Sequence, residues 1–400
     1  MSASDAAAAL RVSRATLYAY VSRGYIRSQA TAGSTRERQY SRDDVERLRR
    51  RAEERRNPDT AAAHALQWGL PILESAIALI DGSHLYYRGH EAVRLARERS
   101  IEEVASLVWC GSFASRFERK PGERLVDQGA PGGGTLPFVA RAHRALAAAS
   151  ARDPMVSDVR PEAVAQCGWR ILRLLTSLVV GKHRMAATIE LSLARAWDIR
   201  AGGVDILRAA LILCADHELN VSSFTARCVA SAGSNPYAVV IAGLAALEGP
   251  RHGGAGARVE SMLTSLRRTR DLRAAVDARL RRGERLEGFG HPLYRDGDPR
   301  ATALFDLLRR QYATSTELRF VLDVTEAAAV ASGDAPNLDF ALASVARVLR
   351  LPDGAPLTLF ALGRTIGWIG HAIEQYATGH LIRPRAKYVG PVPSPTAALQ

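Results

Sequence analysis

Lysine is nearly missing from this chain: Lys120, Lys182 and Lys387 are the only lysines among its 54 basic residues, and the rest are arginine. A genome rich in G and C would encode the same bias, so the arginine excess does not by itself name a function. Aromatic residues are scarce at 6%, while alanine, leucine and arginine abound, and such a composition leans toward helix. The four cysteines, Cys110, Cys167, Cys214 and Cys228, lack the close spacing of a metal site. They lie in apolar, helix-like runs and read as small buried hydrophobes of a reducing compartment. No run of about 18 apolar residues appears, and the opening residues lack a signal-peptide pattern. A cytoplasmic protein with no membrane partner is expected.

What the chain does have is length and positive charge. Its 400 residues leave room for two or three domains and a sizeable core. A net charge of +13 favours anionic partners: nucleic acid, phosphorylated cofactors or polycarboxylates.

Residues 1–56 carry 13 arginines against 7 acidic residues. "AAALRVSRATLYAYVSRGYI" reads as two short helices and a turn, with Ser13 as N-cap of the second and Gly24 just past its end. "QYSRDDVERLRRRAEERR" reads as a further helix capped by Ser41, with Asp43 and Asp44 in its first turn and arginines near its end, as the helix dipole favours. Between them, "QATAGSTRERQ" is polar and long enough to form a wing. The module resembles the winged helix-turn-helix of MerR-type regulators. That resemblance implies a second helix set into the major groove, with Arg14, Thr16, Tyr18 and Arg36 as DNA contacts. The competing reading is a protein-docking or vestigial module whose arginines form a solvated face. "RRNPDTAAAH" follows as a linker.

From residue 68 onward the pattern is helix after helix. Ser100 and Gly111 bracket "SIEEVASLVWCG" as N-cap and terminator. "GGVDILRAALILCADHELN" places His217 on or beside an apolar stripe at a helix C-terminal end, where a core histidine is the ordinary reading and a ligand the sharper one. In "PLTLFALGRTIGWIGHAIEQYATG", Arg364 sits among apolar residues and needs an anion. Either an internal carboxylate or a substrate carboxylate would serve. Three stretches break the helical pattern. "LEGPRHGGAGA" carries His252, "GFGHPLYRDGDPRA" carries His291 and Arg300, and "DAPNLDFALASVARVL" puts Asp339 at a helix start. Glycine and proline forbid regular ladders there and let backbone approach a ligand. Two histidines on bent loops and an aspartate at a helix start suggest proton chemistry, although Asp339 alone would read as an N-cap.

Taken in order, these segments resemble the citrate synthase family over most of residues 68–400. The matching stretches are "IDGSHLYYRG", "LILCADHELNVSSFTARCVAS", "GPRHGGA", "GFGHPLYRDGDPRA", "NLDFALASV", "FALGRTIGWIGH" and "RPRAKYVG". The resemblance implies an all-α protein: a citrate synthase fold with a large domain at 60–253, completed by 350–400, and a small domain at 254–349, preceded by the 1–56 module. It implies condensation of acetyl-CoA with oxaloacetate and water to give citrate and CoA. Acetyl-CoA enters as a co-substrate, with no further cofactor and no metal. By position, Asp339 is implied as the base for the acetyl methyl proton and His252 as the donor to the thioester oxygen. His291 would polarise the oxaloacetate carbonyl. His217, Arg300, Arg364 and Arg383 would hold oxaloacetate, Arg383 by reaching into the partner site of a homodimer.

Departures from the family pattern leave other readings open. Cys214 stands where the family often has histidine, Arg251 where it has leucine, and Pro292-Leu293 where it has Arg-Val. A 2-methylcitrate synthase using propionyl-CoA is one alternative. A regulator with a citrate synthase-like sensor body on a DNA-binding head is another, and a citryl-CoA lyase a third. Lys182 and Arg184 are the basic residues suggested for CoA.

Overall fold

The computed structural model describes residues 1–23, 25–30, 38–42, 44–46, 48–49, 73–114, 117, 136–181, 185–294 and 296–391. Gly24, Arg36, Asp43, Lys182 and Arg184 lie outside the described residues. The chain divides into two compact units, Met1–Glu74 and Ser75–Gln400.

In the first unit, helices Ala3–Leu10 and Arg14–Ser22 precede antiparallel strands Ser28–Ala30 and Arg38–Tyr40. Ser13 caps the second helix as expected, accepting from the Thr16 amide. Ser41 likewise accepts from the Asp44 amide at 3.3 Å. The small core comprises Ala6, Ala7, Leu10, Leu17, Ile26, Tyr40 and Val45. Asp44 closes it from the polar side by accepting from the Arg27 backbone amide and guanidinium. Those hydrogen bonds hold its carboxyl well below the usual range.

The second unit is helical apart from one feature that the sequence pattern did not announce. Strands Ala78–Asp81, His84–Tyr87 and His90–Glu91 form an antiparallel sheet. Buried Tyr87 carries this sheet to the core, its hydroxyl bonding the carbonyls of Ile212, Leu213 and Asp216. The capping box at Ser100 and the left-handed Gly111 terminator form as expected. The helix Pro161–Val180 is long and apolar enough to cross a membrane by length and composition, and 61% of that apolar window is buried inside the protein.

The helix Ala355–Thr378 is the axis of the larger helical group, packing on helices Ile101–Cys110, Pro161–Val180, Ala201–Leu213, Val221–Ser231 and Pro236–Leu247. Glycines make these approaches possible. A Cβ on Gly363 would stand 2.6 Å from Cys214 Cβ and one on Gly370 2.7 Å from Val108 Cγ1, while those on Gly363 and Gly367 would also drive into the carbonyls of Leu211 and Ala215. Helices Ala255–Leu266, Leu272–Arg281, Pro299–Gln311, Thr316–Ser332 and Leu338–Leu349 pack among themselves as a smaller group.

Gly363→Ala is expected to destabilise the fold by about 1–3 kcal/mol, because the clash is with backbone that cannot swing away. Gly256→Ala, whose Cβ would meet nothing nearer than Pro356 Cβ at 3.6 Å, should be neutral or slightly stabilising. Matching calorimetric melting temperatures for the two variants would refute the close approach.

Candidate active site

Three irregular segments, bearing His217, His252 and His291, and three helices, bearing Arg300, Asp339 and Arg364, bring six of the candidate residues together. The helix Ala201–Leu213 stops with Cys214 as its C-cap, so His217 is not on the helical stripe that its spacing suggested; it lies in the turn beyond. Its ring packs edge-on against His291 with centroids 5.2 Å apart, and its Nε2 is 3.0 Å from the Tyr294 hydroxyl. His291 and Tyr294 lie 4.8 Å apart, so three rings form one cluster.

The 288–301 loop is pinned at both ends. At its start, the Asn337 amide donates to Gly288 O and the Gly290 amide to Ala335 O, while Asn337 Nδ2 donates to Gly290 O. Gly288 needs its freedom: its φ is +84° and a Cβ would lie 2.7 Å from Phe340 Cβ. At its end, Asp298 accepts from Arg300 Nε at 2.9 Å and Nη2 at 2.7 Å, and from the Leu338 amide at 3.0 Å. One buried carboxylate thus fixes both Arg300 and the start of the helix Leu338–Leu349. The N-cap of that helix is Asn337, not Asp339, whose side chain is left without a hydrogen-bond partner among the described residues.

Arg364 is 1% exposed. Its Nε donates to Cys214 O at 2.8 Å, and its Nη1 and Nη2 have no hydrogen-bond partner among the described residues. No internal carboxylate among those residues, the ordinary expectation for such a group, takes them. His252 lies edge-on to Phe360, over which the Arg364 guanidinium also sits. Its Nε2 is 2.8 Å from Ser222 Oγ, which accepts from Trp368 Nε1 at 3.1 Å. Arg383 lies exposed on the extended segment after Thr378 and is not brought to the other six residues.

Burial and arginine charge set the protonation states. Burial lowers His252 to about 3, with Arg364 adding to the effect, and lowers His291 to about 4, with Arg300 adding. His217 falls well below its ordinary value by burial, then by Arg300 and Arg364. All three rings are neutral near pH 7. His291 Nδ1 accepts the Leu293 amide at 3.1 Å, which places the neutral ring's proton on Nε2. Burial pushes Asp339 up to about 6, against the pull of Arg300. The site therefore offers neutral donors, unsatisfied cationic N–H groups and a carboxylate of raised basicity, the requirements for moving a proton next to an anionic ligand.

Sequence reasoning passed over Tyr294, Asp298 and Ser222. Asp298 was findable, since an Asp before Pro at a helix start is an N-cap signal, and it does cap Pro299–Gln311. Ser222 and Tyr294 carry no local signal; their partners are 30 and 77 residues away in the chain. In the first unit, Arg14 and Tyr18 are exposed on their helix, Tyr18 by 52%. The Thr16 hydroxyl instead pairs with the capping Ser13 at 2.9 Å.

Residues 65–385 match the family described as citrate synthase, C-terminal domain, and residues 1–52 match the MerR HTH family of regulatory proteins. The chain is 30% identical to the citrate synthase of Haloferax volcanii, covering 80% of this chain and 94% of that protein. It is 26% identical to the citrate/2-methylcitrate synthase of Bacillus subtilis, over 81% and 95%. Among solved structures, citrate synthase from Thermotoga maritima superposes with a TM-score of 0.68 at 26% identity, covering 82% of this chain and 95% of that one. The Thermoplasma acidophilum enzyme, solved as a ternary complex with carboxymethyl coenzyme A and oxaloacetate, gives 0.67 at 26%, covering 83% and 97%.

An Asp339 carboxyl titrating near 6 in the fold, against about 3.9 in the unfolded chain, favours folding below pH 4 and loses that contribution as pH rises through 6. Asp339→Asn should therefore exceed the parent protein in stability by about 1–3 kcal/mol at pH 7.5 and by almost nothing at pH 4. Denaturant melts at the two pH values check this; a pH-independent difference would place Asp339 in an ordinary solvated setting.

Proposed function

The chain belongs to the citrate synthase family, with a MerR-type helix-turn-helix module fused on its N-terminal side, and from that membership we propose that it condenses acetyl-CoA with oxaloacetate and water to give citrate and CoA. The observation that carries this reading is Arg364: a buried guanidinium whose two terminal nitrogens have no partner among the described residues, in a site with neutral His252 and His291. A carboxylate-bearing ligand supplies the missing acceptors.

In this mechanism Asp339 takes a methyl proton from the acetyl group. That proton is a very weak acid, so the developing enolate oxygen needs a placed donor. His252 is that donor. Ser222 accepts from Trp368, and its own proton faces two acceptors at 2.8 Å: Asn220 Oδ1, which also takes the Ser222 and Ser223 amides, and His252 Nε2. In the donor form of the ring, the hydroxyl turns from Asn220 to His252 Nε2, which leaves the ring proton on Nδ1 for the thioester oxygen. The enol carbon attacks the oxaloacetate carbonyl, forming the C–C bond, while His291 Nε2–H polarises that carbonyl and gives its proton to the new alkoxide. Water then cleaves the thioester of the condensed product and releases CoA. His217, Arg300 and Arg364 hold oxaloacetate, in a cleft between a large domain (60–253 with 350–400) and a small one (254–349).

Arg383 fits a role in the site of a second copy in a homodimer, since it is exposed on a segment where Leu381, Tyr388 and Val389 are exposed as well. Propionyl-CoA as the acyl donor is a second reading, favoured by the citrate/2-methylcitrate relative. Arg251 and Pro292-Leu293 are the positions where a changed acyl preference would originate.

Purified protein given oxaloacetate with acetyl-CoA or propionyl-CoA should release free CoA, and the preferred thioester decides between the two readings. Turnover should fall as pH drops below about 6, where Asp339 protonates. Asp339→Asn should abolish turnover and keep oxaloacetate binding. Arg364→Leu should raise the oxaloacetate KM by the equivalent of about 2–5 kcal/mol. An unchanged KM would remove Arg364 from the site.

For the N-terminal module, exposed Arg14 and Tyr18 on a capped helix next to a two-stranded wing support duplex DNA as the partner. The full-length chain should bind duplex more tightly than a version lacking residues 1–56, with affinity falling steeply as salt rises. The truncated chain should keep the condensation activity. Salt-insensitive or absent binding would reject the module as a DNA reader.

A further inference from the structure

His291 and His217 owe their hydrogen-bonding sense to different kinds of partner. The proton of His291 is placed by a main-chain amide, that of Leu293, which any residue but proline would supply. His217 depends on a single side chain. Tyr294 is 2% exposed, and among the described residues its hydroxyl has one hydrogen-bond partner, His217 Nε2 at 3.0 Å. Burial raises that phenol to about 12, so it stays protonated. A buried phenol with one available acceptor donates to it, because the alternative leaves its O–H unsatisfied. His217 is itself held neutral by burial and by Arg300 and Arg364, and a neutral imidazole has one N–H and one lone pair. With Nε2 accepting, the proton belongs on Nδ1, which has no partner among the described residues.

We propose that Tyr294 is a positioning residue: its phenol sets His217 as the Nδ1–H tautomer and so makes that ring a hydrogen-bond donor to the oxygens of the oxo acid. This rests on the condensation reading of the same site. The two partners come from separate stretches, the 288–301 loop and the turn after Leu213. Docking of that loop, held by Asp298 and Asn337, is therefore what gives His217 its polarity. Without the phenol the ring proton is free to sit on either nitrogen, and a ring presenting its lone pair repels an anionic oxygen.

Nitrogen-15 spectra of histidine-labelled protein, with His217 assigned by its loss in His217→Asn, should show Nδ1 protonated and Nε2 bare. A proton on Nε2 overturns the proposal without any variant of Tyr294. In calorimetric titrations, Tyr294→Phe should weaken oxaloacetate binding about tenfold, with a mixture of tautomers in the spectrum. In a His217→Asn background, where the amide carries its own N–H, the same change should cost less than about twofold. Equal losses in both backgrounds would mean that Tyr294 only packs the loop, and would overturn the proposal, as would unchanged binding. Parent protein that does not bind oxaloacetate would sink the condensation reading, and this proposal with it. Binding by the parent with no effect of Tyr294→Phe would sink this proposal alone.

Discussion

Gly363 and Gly367 let the helix Ala355–Thr378 run against the 211–216 segment with no side chain between the two backbones. Arg364, next to the first of these glycines, is carried in with the helix and meets Cys214 O through its Nε. The rest of the site follows from that contact. The guanidinium is drawn inside, its outer nitrogens cannot turn back to solvent, and the turn bearing His217 is held against the same helix. Trp368, one residue beyond Gly367, reaches Ser222 and through it His252. A single close approach therefore locates a buried guanidinium and, through Trp368 and Ser222, a buried imidazole from one stretch of helix.

The second constraint is electrostatic. Burial, with arginine charge adding to it, keeps the three imidazoles uncharged, and burial raises the Asp339 carboxyl. Asp298 separates these effects. By taking Arg300 into an ion pair it spends that cation's attraction on itself, while Asp339, two positions past the Asn337 cap, is left basic. Two aspartates at the starts of two helices thus come to differ because one is used as a cap and the other is not.

Much of this was legible in the sequence because irregular backbone leaves marks. The glycines and prolines around His252, His291 and Asp339 exclude helix and strand, so the bent loops stand out locally, and their order along the chain carries the family. The helix caps at Ser13 and Ser100 were equally readable, since each depends on its neighbours within one turn. What escaped depends on distance. The end of the helix before His217 is invisible to periodicity, because Cys214 to His217 continue an apolar pattern after the hydrogen bonds stop. The sheet at 78–91 is built from short pairs with no long alternation. Tyr294 looks like one more residue of a loop until its partner arrives from another part of the chain.

Arg300 and Arg364 are the same side chain in unlike harness. Asp298 occupies Nε and Nη2 of Arg300, which leaves one nitrogen, Nη1, without a protein partner among the described residues. Arg364 gives only Nε to the backbone and keeps the fork formed by Nη1 and Nη2. A fork selects a flat, two-oxygen group, whereas a lone N–H accepts any oxygen within reach. For the dicarboxylate of the proposed reaction, the two ends would be inspected with unequal strictness. Analogues altered at the forked end would be rejected by shape and those altered at the other end admitted more freely, which would give the cavity a built-in sense of which way round such a ligand lies.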